Sequence, residues 1–193
     1  MRICVDAGHG GSDPGTVNPW TGAREKDITI RYALDLAAEL ERGGARIIMT
    51  RQHDIFVPLS RRCNIANTGV KHNAGRSDLF LSIHVNGVEN PAAKGWEIWT
   101  SPGPTNSDIL ATLIYNEVDA EYHDLHMRPD WSDGDPDKEG KLRVLMGTWM
   151  PAVLIELGFI RNSGDLANML DPEWQWRMVQ AIARGVWRYA ERR

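Results

Sequence analysis

At 193 residues, with 42% apolar and 25% charged side chains, the chain is long enough for one domain with a sizeable core and short for two. Twenty-two Lys and Arg against 26 Asp and Glu give a formal net charge of −4, and no basic tract is present, which excludes a nucleic-acid partner held by counterion release. No stretch approaches the roughly 20 apolar residues of a membrane span.

The chain opens directly into the apolar run Ile3-Cys4-Val5, with no leader of charged and then apolar residues ahead of it. Two expectations follow: a protein made in the cytosol that acts after release, or an exported one whose signal has been trimmed. The run ends in Asp6-Ala7-Gly8-His9-Gly10-Gly11, which reads as a buried strand entering a glycine-rich turn. The pattern then changes period. Ile30, Ala33, Leu34, Ala37 and Ala38 share one helical face, with Asp27 expected to cap the start and Gly43-Gly44 to end the helix.

Residues 46–50 form the next predicted strand, and residues 58–67 a second helix with Leu59, Cys63 and Ala66 on its apolar side. Residues 68–77 are polar and contain glycine, hence a loop. Residues 79–85 are a strongly apolar central strand, and residues 96–100 another, closed by Pro102 and Pro104. Thr105-Asn106-Ser107-Asp108 resembles a capping box with Asp in place of Glu, opening a helix that carries Leu110, Ile114 and Val118. After a polar loop over 128–140 come two apolar runs, 142–146 and 152–157. Asp171-Pro172 supplies an N-cap and a first helical position, leading a helix with Met178, Ile182 and Val186 on one face.

Strands and helices thus alternate without repeat, low-complexity tract or linker. Apolar runs such as 79–85 and 152–157 read as strands covered on both faces. The expected architecture is a single three-layer α/β domain over residues 1–193, with a central mostly parallel mixed sheet flanked by helices. Cys4 and Cys63 each lie in or beside apolar runs and are expected to be small buried residues.

In open α/β sheets the ligand site lies beyond the carboxyl ends of the strands, near a reversal of strand order. The polar residues that end strands here are His9, His84 and Glu156. Two imidazoles and a carboxylate at one crevice have the composition of a metal site, and catalytic zinc commonly keeps three protein ligands and one open position. Taken singly, His9 also suits a tight turn, and His84 a hydrogen-bonded core position. Glu156 is the carboxylate best motivated by physics: inside Val153-Leu154-Ile155-Glu156-Leu157 its burial is costly unless it is paired or metal-bound. Spacing does not single out Glu25, which lies where acidic residues favour any helix start, and Asp6, Asp13 or another His serve equally well as a third ligand. Gly8-His9-Gly10-Gly11 lacks both the G-x-G-x-x-G spacing and the Lys of a nucleotide-binding loop.

As a set, the residues resemble a known family. Residues 5–11, then Asp13-Pro14-Gly15, then Glu25 ahead of a helix, are similar to the opening of zinc-dependent N-acetylmuramoyl-L-alanine amidases of the Amidase_3 type. The resemblance continues through Thr50-Arg51 with Asp54, Leu59 with Arg62, and Ala66-Asn67. It is strongest in residues 78–86 and 151–160, and Asn162 and Asp165 also match. It implies that His9, Glu25 and His84 bind one Zn²⁺ and that Glu156 is the catalytic carboxylate. The bond cut would be the amide joining N-acetylmuramic acid to L-alanine in peptidoglycan, as in a phage endolysin or a bacterial cell-wall amidase domain. Glu156 would take a proton from the attacking water and pass it to the leaving nitrogen.

Asn86, two residues past His84 on the same side of an extended strand, is a candidate substrate contact, with closure of the strand end by hydrogen bonds as its alternative role. The expected partner is peptidoglycan, met by a monomer with no separate wall-binding domain visible. A zinc peptidase acting within the stem peptide and an inactive wall-binding module are the competing readings. His53 and His72 lie in polar surroundings, and His123 and His126 have an i, i+3 chelating spacing but are read as solvated. Trp174, Trp176 and Trp187 are read as packing residues, and Trp131 in the polar loop as a candidate substrate or partner contact.

Overall fold

The structure, a computed structural model, describes residues 1–70 and 75–192; His72 lies outside the described residues. In chain order the elements are β1 (Arg2–Ala7), α1 (Glu25–Arg42), β2 (Arg46–Met49), α2 (Leu59–Thr68), β3 (Leu79–Asn86) and β4 (Glu97–Thr100). There follow α3 (Asn106–Glu121), β5 (Lys138–Glu139), α4 (Arg143–Gly147), β6 (Ala152–Phe159), α5 (Ser163–Leu170) and α6 (Pro172–Ala190).

The strands form one six-stranded sheet in the order β2-β1-β3-β6-β4-β5. All neighbours run parallel except β4, which is antiparallel to β6. The period-2 alternation of side chains sorts the strands onto two cores. Ile3, Val5, Leu79, Leu81, Ile83, Val153 and Ile155 face the larger core with residues of α1, α3 and α6. Cys4, Phe80, Ala152 and Leu154 face a smaller one with Cys63, Ile65 and Ala66 of α2 and Val144 and Leu145 of α4. Two layers of helices on one sheet are the predicted three-layer α/β fold. The chain leaves β1 for β2 on one side and reaches β3 on the other, so strand order reverses at β1/β3, where a crevice opens at the carboxyl edge.

The caps predicted for two helices are present. Thr105 and Asp108 make the reciprocal capping box of α3, and the Asp171 carboxylate accepts from Trp174 N at 2.8 Å at the start of α6. Met178, Ile182 and Val186 are buried as expected. Four local expectations change. Helix α1 begins at Glu25, and Asp27 sits inside its first turn, accepting from Arg24 Nε rather than capping the backbone. Its buried stripe is Ile28, Tyr32, Leu36 and Leu40 with Ala33 and Ala37, while Leu34 is exposed, because the i, i+4 row of large side chains sets the rotation. Leu59 is 52% exposed at the first turn of α2, on the rim of the crevice. Trp176 is 60% exposed, whereas Trp174 and Trp187 pack against the larger core.

Candidate active site

Every polar side chain expected to end a strand lies at the carboxyl edge of the sheet. His9 follows β1 and is the one described non-glycine residue with a positive φ, 59°. Such a backbone costs about 1–3 kcal/mol and persists only where its surroundings over-determine it. Two buried guanidinium groups do so. Arg51 donates to the carbonyls of Ala7 (3.0 Å) and Gly8 (2.8 Å), and Arg62 to those of Ala7 (2.6 Å) and His9 (2.7 Å). Arg62 is itself fixed by buried Asp6 at 2.7 Å, which also accepts from the hydroxyls of Thr50 and Ser82. Sequence reasoning weighed Asp6 as a ligand; here it anchors the arginine that shapes the His9 turn.

Glu25 arrives from a different direction. The segment after His9 folds back through an antiparallel bridge between Val17 and Arg24, and the Glu25 backbone N donates to Thr16 O at the first turn of α1. The side chain is thereby delivered between the two histidines. Glu25 Oε1 lies 3.1 Å from His9 Nε2 and 3.1 Å from His84 Nδ1, and accepts from Val85 N at 3.0 Å. Oε2 accepts from Thr16 N at 2.9 Å. Burial resists ionisation of this carboxyl, but both imidazoles outweigh it and hold Glu25 well below the usual carboxylate range. On the outer side of His9, Nδ1 meets Asp13 Oδ2 at 2.9 Å, so Asp13, also weighed as a ligand, orients the ring and leaves Nε2 turned inward. Two glycines make this closeness possible. A Cβ on Gly8 would stand 2.5 Å from His84 Cε1, and one on Gly15, at φ 65°, 2.6 Å from Glu25 Oε2.

His9, Glu25 and His84 each offer one ligand atom, all within 4.8 Å of one another, and no other such group occurs among the described residues. Tetrahedral zinc with ligand bonds near 2.0–2.1 Å needs donors about 3.3 Å apart, so the two 3.1 Å separations fit that ion. Two neutral imidazoles and one carboxylate are also a donor set that zinc accepts.

Glu156 lies across the strands from this cluster. In register, its Cα pairs with His84 on β3 and with Glu97 on β4, so the three side chains share the α2 face of the sheet. Its Oε2 is sealed from solvent without a hydrogen-bond partner. Burial, reinforced by the charges of Glu25 and Glu97, pushes its carboxyl well above the ordinary range. The site is walled on the α2 side by a hollow of about 310 Å³ lined by His9, Phe56, Leu59, Arg62 and His84 among others.

Asn86 follows a register shift between His84 and itself; its amide donates to Glu97 Oε1 at 2.7 Å and its carbonyl accepts from Ile160 N. These are the strand-closing bonds of its alternative role. Sequence reasoning missed Glu97, which is 4% exposed and receives Arg128 and Lys138 at 2.8 and 2.9 Å, besides Asn86 and the Trp99 indole. The available signal was a carboxylate inside the apolar run 96–100, the same one that marked Glu156. Trp131 is exposed, as expected, and lies edge-on to Tyr115 at 6.0 Å.

A mostly parallel α/β sheet with two histidines and a carboxylate gathered at its carboxyl edge, beside a second buried carboxyl, has the composition of a metal-dependent hydrolase. The chain belongs to the N-acetylmuramoyl-L-alanine amidase family Amidase_3, whose model matches residues 3–188. The family is zinc-dependent in general. The chain is 35% identical over 190 residues to a sporulation-specific N-acetylmuramoyl-L-alanine amidase of Bacillus subtilis, covering 96% of this chain and 65% of that one. It is 33% identical to the Bacillus subtilis protein YqiI over 95% of this chain and 82% of that protein. Among solved structures, the amidase AmiC2 of Nostoc punctiforme superimposes with a TM-score of 0.85 at 30% identity, covering 99% of this chain and 97% of that one. The chain spans about half to two thirds of several curated amidases that it matches.

Proposed function

We propose that the protein hydrolyses the amide between the lactyl group of N-acetylmuramic acid and L-alanine in peptidoglycan, with one Zn²⁺ held by His9, Glu25 and His84. The observation that carries this reading is the convergence of three donors within 4.8 Å of one another beside a carboxyl with one oxygen sealed and left without a partner. Bound zinc would polarise the scissile carbonyl and make water a competent nucleophile at neutral pH.

The protein's own groups divide the remaining work. Asp13 and Val85 N fix the His9 ring and the Glu25 carboxylate, so the donor set needs little rearrangement to receive the ion. Glu156, with its proton affinity raised by burial and by the charges of Glu25 and Glu97, takes the proton of the attacking water and returns it to the leaving nitrogen. Phe56 and Leu59, both more than half exposed on the rim, offer apolar surface to the flat face of a pyranose. Asn86 is oriented by its bond to Glu97 and is the proposed substrate contact beside the cluster. The setting is the cell wall.

Digestion of purified peptidoglycan followed by mass spectrometry tests the reading. Intact stem peptides released from intact glycan, with release stopped by a chelator and restored by Zn²⁺, are expected. Fragments cut inside the stem would replace the amidase by a peptidase, and release that is indifferent to chelator would remove the metal.

A further inference from the structure

A second hollow, of about 410 Å³, lies at the same end of the sheet as the metal cluster. It forms between the 18–22 turn, which precedes Glu25, and the connection from β6 into α5. Asn18 seals its back: the side-chain amide donates to Ile160 O at 2.7 Å, and its Oδ1 accepts from Trp20 N and Thr21 N. The walls are Trp20, which is 66% exposed, with Leu166 and Leu170 of α5.

The unusual member is Arg161. Its Nε is sealed from solvent and has no hydrogen-bond partner, and its guanidinium makes no hydrogen bond or ion pair with any described residue. No acidic residue lines the hollow. Neighbouring arginines at this edge of the sheet do have partners: Arg51 and Arg62 donate to carbonyls and Asp6, and Arg128 to Glu97. A partly buried guanidinium without a counter-charge is costly, and its planar fork matches a carboxylate.

We infer that Arg161 and Trp20 form a subsite that takes a carboxylate of the peptidoglycan stem peptide, with Leu166 and Leu170 receiving its aliphatic stretch. This rests on the amidase reading, because it makes the leaving portion of that substrate the occupant. The charge complementarity is direct, since non-amidated stems carry free carboxylates from their second residue onward. The hollow is joined to the metal cluster by short bonded steps, Asn18 to Ile160, Ile160 N to Asn86 O, and Thr16 to Glu25. Amidation of the stem, which removes the charge and keeps the shape, then becomes a determinant of specificity.

The test is calorimetric titration of the zinc-loaded full chain with two probes: N-acetyl-L-Ala-γ-D-Glu-L-Lys with its carboxylates free, and the same tripeptide with both converted to carboxamides. The free-acid form is expected to bind about tenfold or more tightly, as for a charge-assisted bond. Arg161→Gln should abolish that preference, Arg161→Lys should keep part of it, and Trp20→Ala should weaken both probes alike. In turnover of muropeptides, Arg161→Gln should act on KM more than on kcat, and less on amidated stems. Equal binding of the two probes by the wild-type protein, or a preference that survives Arg161→Gln, overturns the subsite. Preference without any cleavage of the muramoyl amide would instead sink the amidase reading and leave the subsite in place.

Discussion

Glu156 and Glu97 stand opposite each other on β6 and β4, yet their surroundings differ in kind. Glu97 receives four donors, and although burial works against its charge, Asn86, Arg128 and Lys138 keep it ionised. Glu156 has a sealed oxygen with none, and feels the charges of both Glu25 and Glu97. One carboxyl is therefore held as a fixed anion and the other is left able to exchange a proton. Glu156→Gln is expected to lower kcat by about 10²-fold or more while zinc content, measured by elemental analysis, stays at one per chain. Loss of the metal in that variant would make Glu156 a ligand instead. Glu97→Gln removes a negative neighbour of Glu156 and frees two cations, and both changes favour the ionised form. The acidic limb of the kcat/KM profile should then move to lower pH; movement to higher pH, or none, would disconnect the pair. Of these residues the sequence alone marks Glu156, as a charge inside an apolar strand. It does not show that Glu97 faces it, because that depends on the register of two strands some sixty residues apart in the chain.

At the scale of elements, the buried Arg62–Asp6 pair joins α2 to β1 and shapes the turn that carries His9. Burial raises the Asp6 carboxyl, but Arg62, Thr50 and Ser82 outweigh that and leave it lowered. A depressed carboxyl contributes stability above its unfolded pKa and loses it as the pH falls through the folded value, so this anchor weakens only in acid. Arg62→Ala leaves a buried carboxylate without its cation and is expected to cost about 3–5 kcal/mol in denaturant unfolding at neutral pH. A cost below about 1 kcal/mol would show that the turn is held by Arg51 alone. Arg62 falls in the sequence resemblance, but its work on the His9 carbonyl is visible only once α2 lies against β1. The N-caps of α3 and α6, by contrast, were legible because capping is a contact between residues two or three apart. The start of α1 was misread for the complementary reason. Its first turn is set by the Val17–Arg24 bridge and not by a local cap.

For the whole molecule, the proposed metal site of His9, Glu25 and His84 links three distant parts of the chain: the end of β1, the start of α1 and the end of β3. An ion that binds these three together binds the folded state and not the unfolded one, so it stabilises in proportion to its occupancy. Zn²⁺ at about 100 times its dissociation constant should add roughly 2.7 kcal/mol and raise the Tm, and His84→Ala should lose most of that increment. An unchanged Tm on adding Zn²⁺ to the chelated protein would remove the metal site. The fold around the cluster follows from hydrophobic pattern: uninterrupted apolar runs for β3 and β6, and helical periods between strands, already require a sheet covered on both faces.

Sequence by itself determined the α/β class, most of the elements, and the strand-end positions of His9, His84 and Glu156, since each follows from patterns a few residues long. Glu25 was reached only through family resemblance, as its neighbours suit any helix start. Tertiary structure decided that Glu25 meets both histidines, that Asp13 and Asp6 serve as supports, that Glu97 faces Glu156, and that Arg161 has no counter-charge among the described residues. The physical reason is common to all of them: a strand pattern specifies which face a side chain takes, whereas its partners depend on which strands become neighbours and in what register.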